Sequence, residues 1–391
     1  MSELVLGDSL ELLIDNRGKN PPFTDSGIPV LSAKAIKNGG ISFKEARFIS
    51  RDTYTRWMPN PLQKYDVILT SEAPLGECAL VADNEPLAIA QRLYALRGKS
   101  DVLDGRYLYY ALKFETVQAD LHNRASGTTV SGIRQPELLK VRIPDPGYPQ
   151  QKAIASALGA LDNKIAVNEH IATTTDRLVS AMFSALIASR SAPGEVKISD
   201  VALVNSRSVK PKREGAVRYI DISSVGVGFY EWPDRIEWSD APGRARRLAP
   251  AGSTVWSTVR PNRRSHALVL DADEDLVFST GLAVLTPVSV GPAFLYEATR
   301  APEFQAYLEG TAEGSAYPAV RADLFKEAPL PFPAPEEREK FEEAAMGLRQ
   351  RAHQAVVESR TLAALRDTLL PQLMSGRLRV KDAERIVEDH V

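Results

Sequence analysis

The chain repeats itself. Laid on itself with a shift of about 187 residues, Leu108-Tyr109-Tyr110-Ala111 falls on Leu295-Tyr296-Glu297-Ala298, and Val117-Gln118-Ala119-Asp120-Leu121 falls on Phe304-Gln305-Ala306-Tyr307-Leu308. Without a gap, Gly127-Thr128 meets Gly314-Ser315, Ile133-Arg134 meets Val320-Arg321, Ile143-Pro144 meets Leu330-Pro331, Leu186 meets Leu373 and Arg190 meets Arg377. Upstream, with small insertions, Asp66 to Leu69 overlies Ser253 to Trp256, Ala79-Leu80-Val81 overlies Ala267-Leu268-Val269, and Gly27 to Ile36 overlies Ala216 to Val225. A chain of 391 residues exceeds one ordinary core, and this repeat divides it into two copies of one unit, a globule followed by a helix.

Within each globule, short β-rich runs such as Asp66 to Thr70 and Leu276 to Ser279 alternate with turn residues. One amphipathic helix is expected near Gly105 to Leu121 and another near Pro292 to Leu308. The globules therefore read as α+β, with internal topology left open. After Pro149, apolar or small residues recur in steps of four and three: Ile154, Leu158, Leu161, Ile165, Asn168, Ala172, Thr175, Val179, Met182, Leu186. After Pro335 the matching series is Phe341, Ala345, Leu348, Ala352, Ala355, Ser359, Leu362, Arg366, Leu369, Leu373. This is a diluted coiled-coil seam, in which polar Asn168, Thr175 and Arg366 would fix register. The alternative is that each helix merely packs on its own globule. Equal lengths after equivalent globules favour pairing about a pseudo-twofold axis, which makes the helices antiparallel with the globules at opposite ends. The expected architecture is two pseudo-twofold-related α+β domains separated by two long antiparallel coiled-coil helices. Its boundaries are a first domain 1–148, a helix 149–191, a second domain 192–334, a helix 335–378 and a C-terminal tail 379–391.

Composition removes several function classes. Cys78 is the only cysteine and the five histidines are scattered, so no zinc cluster or disulfide framework assembles and no metal is expected. No apolar run approaches the roughly 20 residues of a membrane span, and Met1-Ser2-Glu3 opens no signal segment. A soluble cytoplasmic protein is expected. The net charge is −2, yet twelve basic residues against six acidic ones lie between Asn205 and Arg264, the footprint of a phosphate-facing patch.

The arrangement resembles the specificity subunit of type I restriction-modification systems over essentially the full length. The resemblance rests on Gly27 to Ile36, the Asp66 to Ala79 segment ending in Gly76-Glu77-Cys78-Ala79, Ser126 to Ile133, and Val141 to Pro144 leading through Gln150-Gln151 into the helix. The second copy is more divergent, with Gly314-Ser315-Ala316-Tyr317-Pro318 and Glu336-Glu337 at the matching places. The resemblance implies two target-recognition domains, each reading half of a bipartite site in double-stranded DNA. It further implies that the helices set the spacing and dock two methyltransferase subunits, with restriction and translocase subunits joining them. The chain itself would be non-catalytic, and S-adenosylmethionine, ATP and Mg would be held by the partners. Helices of about 38 residues, roughly 55 Å long, would cap the half-site separation near 16 base pairs.

Base reading needs Arg or Lys for guanine, Asn or Gln for adenine, and hydroxyls or amides for phosphate. In the second globule the leading cluster is Arg260, Asn262, Arg263 and Arg264, in a loop after a strand, followed by Arg244, Arg246 and Arg247 for phosphates. In the first, the equivalent loop offers Ser71 and Glu72, the nearest cations are Lys34, Lys37 and Arg92, and a further loop offers Thr128, Thr129 and Arg134, whose repeat mate is Arg321. The helix seam is assigned to Ile154, Leu158, Leu161, Ile165, Met182, Leu186, Phe341, Leu348, Leu362, Leu369 and Leu373.

Two other classes compete. Asn20-Pro21-Pro22-Phe23 matches the adenine-binding motif of amino-methyltransferases, with Asp221 to Gly228 as a superficial glycine turn, but the two sit in different repeats. No phosphate-binding Gly-x-x-x-x-Gly-Lys-Ser/Thr loop exists, because Leu93 stands where the first glycine belongs. A coiled-coil adaptor that binds no nucleic acid is the third class.

Overall fold

Strand alternation places one sheet between two cores in each half of the chain. The computed structural model describes every residue except Met1, Arg17, Lys19, Asn38, Thr128, Thr129, residues 189–193 and residues 211–213. Leu10–Asp15, Leu93–Gly98, Val67–Ser71 and Leu75–Leu80 form an antiparallel sheet in that order. Successive side chains point to opposite faces. Val67, Leu69, Tyr94 and Leu96 therefore join one core, while Ile68, Leu93 and Ala95 join the other. Both faces being buried explains why these strands read as apolar runs and not as alternating ones.

The same pattern recurs in the second half. Ala202–Val204, Leu282–Pro287, Thr254–Ser257 and His266–Leu268 form the equivalent sheet. Trp256, Ala283 and Leu285 enter one core, and Val255, Leu282 and Val284 the other. Outside each sheet lies another in which a strand pairs in parallel, Ile28–Leu31 with Ala88–Ile89 in a sheet of three strands and Ala216–Ile220 with Leu276–Ser279 in a sheet of four. A two-stranded ribbon ties the start of each globule to its end, Ser2–Val5 to Arg142–Asp145 and Gly194–Lys197 to Pro329–Phe332.

The long helices span Tyr148–Ile187 and Pro335–Met374. The chain divides into two compact units, residues 1–167 with 359–391 and residues 168–358, so each helix is split between them. In the first unit Ile154, Leu158 and Leu161 share a core with Leu362, Leu369 and Leu373 and with the globule's Tyr107, Leu108 and Tyr110, while Ile165 packs at its edge. In the second, Val179, Phe183, Phe341 and Ala345 share a core with Phe294 and Leu295, with Met182, Leu186 and Leu348 packed against it. The seam side chains thus touch both the opposite helix and a globule.

Polar ties cross between the helices in each unit. In the first, Arg366 Nη1 donates to Asp162 Oδ1 at 2.7 Å, and the Tyr110 hydroxyl donates to Asp162 Oδ2 at 2.6 Å. In the second, Arg349 Nη1 donates to Asp176 Oδ1 at 2.6 Å, Asn168 Nδ2 donates to Glu358 Oε2 at 2.9 Å, and Arg349 also bonds Glu297. These pairs run antiparallel along the two sequences. Burial alone would raise the Asp176 carboxyl, yet Arg300 and Arg349 hold it below the ordinary carboxylate range.

One expectation is corrected in both globules. The helix expected over Gly105 to Leu121 is two, Gly105–Lys113 and Glu115–Asn123, because Phe114 between them is extended at φ −69°, ψ 134°. Its counterpart also breaks, into Pro292–Ala298 and Pro302–Thr311, where a proline opens the second piece. The expected tail contains a helix, Val380–Glu388, whose Ala383 and Val387 are buried in the core of the first unit. The end of the expected helix 149–191 lies outside the described residues from 189 onward.

Candidate nucleic-acid interface

At one rim of each sheet three connections are stitched together by the same hydrogen bonds. In the first unit the Ser71 amide donates to Arg92 O and the Ile133 amide donates to Ser71 O, both at 2.9 Å. Isolated bridges join Glu72 to Gly132 and Ser126 to Gly132. In the second unit the Thr258 amide donates to Gly281 O at 2.9 Å, the Val320 amide donates to Thr258 O at 2.8 Å, and bridges join Val259 to Ala319 and Glu313 to Ala319. Ala73 and Arg260 occupy matching places, each before a proline and each left-handed, at φ 50° and 52°. Side chains with a Cβ rarely adopt this conformation, and such strain concentrates where a loop must present something.

The first rim encloses a cleft of about 570 Å³ lined in part by Ser71, Glu72, Gln91, Arg92, Ser126 and Arg134. Ser71 is buried and shapes the wall, whereas Arg134 is exposed at the start of a short helix. Arg92, also left-handed at φ 66°, pairs with Glu72 at 2.9 Å. The loop read from sequence as lacking a cation is thus supplied with one from another connection. Gln91, an adenine-competent amide, was missed by sequence reasoning, and its only signal was a place beside Arg92 between two strands. Lys34, in a 3₁₀ turn, and Lys37, in a two-residue strand, are exposed but do not line this cleft. Thr128 and Thr129 lie outside the described residues.

In the second unit Pro261–Arg263 is a 3₁₀ turn flanked by left-handed Arg260 and Arg264. Gln305 Nε2 donates to Pro261 O at 2.9 Å and anchors the turn from below. Asn262, Arg263 and Arg264 are exposed. The Arg260 guanidinium lies 4.4 Å from the ring centre of Tyr317, which is itself exposed. Among the described residues, Arg260, Arg263 and Arg264 form no ion pair. Arg244 reaches Asp221 at 3.6 Å, and Arg321 pairs with Glu313 at 3.3 Å, both exposed. Arg246 donates to Gly243 O. Arg247 is built into a sheet edge, donating to Thr280 O, and burial lowers its guanidinium pKa, so its chemistry is turned inward. Lys212 and Arg213 of the basic stretch lie outside the described residues.

His266, two residues past the turn, is 3% exposed and stacks on Trp256 with ring centres 4.6 Å apart. Its Nδ1 lies 2.6 Å from Arg264 O and must carry the proton, which leaves Nε2 bare and, among the described residues, without a partner. Burial, assisted by Arg300, pushes the imidazole down to about 4.

Neither competing motif has the geometry its chemistry requires. Phe23 packs against a core with the Arg47 guanidinium 4.0 Å from its ring centre, so one face of the ring is already covered. Asp221 to Gly228 forms a 3₁₀ turn and a hairpin tip, with no helix following to receive a phosphate. Among the described residues no group of three His, Cys, Asp or Glu is placed to hold a metal ion, and no helix is long and apolar enough to cross a membrane.

Residues 11–174 match the family model described as the type I restriction modification DNA specificity domain. The chain is 28% identical over 154 residues to the type I restriction enzyme MjaVIII specificity subunit of Methanocaldococcus jannaschii, covering 38% of this chain and 36% of that protein. It is 32% identical over 102 residues to the MjaIX specificity subunit of the same organism, covering 26% of this chain and 23% of that protein. These matches span about a third or less of the curated relatives' length. The fold is similar to that of the S subunit of a type I restriction-modification system from M. genitalium, with a TM-score of 0.61 at 18% identity over 95% of each chain. Residues 11–174 thus match the type I restriction modification DNA specificity domain, and over its length the chain is similar in fold to a type I restriction-modification S subunit.

Proposed function

We propose that this chain is the sequence-reading subunit of a type I restriction-modification complex, with each globule reading one half of a bipartite DNA site. The observation that supports this most directly is the duplicated rim: the same three connections meet by the same hydrogen bonds in both units, yet display different side chains. A scaffold held constant while its loops vary is what two readers of different half-sites require. In the first unit Glu72, Gln91, Arg92 and Arg134 are the base- and phosphate-facing groups. In the second they are Arg260, Asn262, Arg263 and Arg264, with Arg244, Arg246 and Arg321 toward the backbone. The long helices set the half-site spacing and dock two methyltransferase subunits. Methyl transfer, ATP hydrolysis and cleavage, with S-adenosylmethionine, ATP and Mg, belong to those and to restriction subunits.

The test is methylome sequencing of a host carrying this gene with its neighbouring methyltransferase, with and without Arg260→Ala, Arg263→Ala and Arg264→Ala together. A split adenine-methylated motif that depends on this chain, with one half degraded in the triple variant, is expected. A contiguous motif, or none that needs the chain, would refute the two-reader scheme and favour an adaptor.

A further inference from the structure

Beside the arginine turn stands a hairpin tip that the basic surface does not explain. Val227 and Phe229 are 56% and 57% exposed, two large apolar side chains within three residues. The tip is closed by a bridge between Val225 and Tyr230 and by the Gly226 amide donating to Phe229 O at 3.0 Å. It is also fastened to the strand that follows the arginines. The His266 amide donates to Gly226 O and the Gly228 amide donates to His266 O, both at 2.8 Å, two residues from Arg264. The Phe229 ring lies over Gly226, where an added Cβ would sit 2.3 Å from ring carbons, so only glycine leaves the ring this seat. Gly228, at φ 87°, turns the tip. The pair is therefore held in place, not merely left over.

In the first unit the equivalent hairpin pairs Ile36 with Ile41 and Lys37 with Gly40. Its described tip residues, Lys37, Gly39 and Gly40, carry no large apolar side chain. This exposed apolar pair is set beside the guanidinium groups of Arg260, Arg263 and Arg264, which form no ion pair among the described residues, and more than half of each apolar residue is left uncovered. On a duplex most groups that such a surface meets are charged or polar, and in the major groove the apolar one is the C5 methyl of thymine. We propose that Val227 and Phe229 read a thymine methyl in the half-site contacted by the Arg260 to Arg264 turn. This rests on the DNA-reading function above and adds to it a named base and a named chemical group.

The experiment uses the full chain assembled with its methyltransferase partner and duplexes carrying the methylome-defined motif. Each thymine of the half-site that degrades in the arginine triple variant is replaced in turn by deoxyuridine, which removes one methyl and nothing else. Wild-type protein is expected to bind at least one such duplex about fourfold more weakly, the value of one buried methyl. The double variant Val227→Ser, Phe229→Ser should bind the thymine and deoxyuridine duplexes equally. The proposal is overturned if no deoxyuridine position in that half-site weakens wild-type binding, if the half-site holds no A·T pair, or if the double variant keeps the full deoxyuridine penalty. The deoxyuridine arm needs only wild-type protein, so it stands even if the variant folds poorly. Failure of the underlying function has a different signature: the thymine duplex itself is then bound no better than a scrambled one.

Discussion

Protonating His266 should loosen the second unit. The ring is 3% exposed, its Nδ1 proton is committed to Arg264 O, and a second proton would have to enter at Nε2, which has no acceptor among the described residues, with Arg300 nearby. Arg264 also repels that charge, and Asp176 opposes them only in part. The unfolded chain titrates at the ordinary 6.5 and the folded one at about 4. Between these values the unfolded state binds the extra proton, so stability is complete above pH 6.5 and falls as pH drops toward 4. The difference corresponds to about 3 kcal/mol, of which about 2 kcal/mol is lost by pH 5. His266→Phe keeps a ring against Trp256 but cannot titrate. It should lower stability at pH 7 by about 1 kcal/mol for the lost hydrogen bond, and then change less than wild type as pH falls. Urea midpoints followed by far-UV circular dichroism at pH 7, 6 and 5 decide the matter. If wild type and variant lose stability in parallel, burial of His266 is not what penalises its charge.

Other outcomes follow from the same packing. Arg349→Ala removes a guanidinium that is 8% exposed and bonded to Asp176 and Glu297; with Glu297 only 2% exposed, urea unfolding should show a loss of roughly 3 kcal/mol. Gly105→Ala should destabilise despite the better helix propensity of alanine, because the new Cβ would sit 2.2 Å from Tyr65 O; a thermal midpoint at or above wild type would contradict this.

What the sequence revealed and what it hid divide along physical lines. The repeat and the long helices were visible because periodicity and self-similarity are properties of neighbouring residues. The steps of four and three that located Ile154, Leu158 and Leu161 also placed them in a core, but not that Tyr107 and Tyr110 would share it. The break at Phe114 was hidden because apolar spacing continues across it, while the backbone there is extended. The Glu72–Arg92 pair and the seating of Phe229 over Gly226 depend on strand pairing, which no local pattern encodes. In the second globule the arginine turn stood out by charge alone. The apolar tip beside it did not, since an exposed valine and phenylalanine are unremarkable until the backbone shows them fastened next to that turn.

Two of the ion pairs between the long helices share one sense of direction. The helix Tyr148–Ile187 contributes the acids, Asp162 and Asp176, and the helix Pro335–Met374 contributes the arginines, Arg366 and Arg349. If two chains exchanged partners and aligned like with like in the same antiparallel register, the repeat would set Asp162 near the other copy's Asp176, and Arg349 near the other copy's Arg366. Both combinations place like charges together in half-buried surroundings. At these two positions the duplication was accompanied by a division of charge, acid on one helix and arginine on the other, so that pairing of like helices from two chains is disfavoured there.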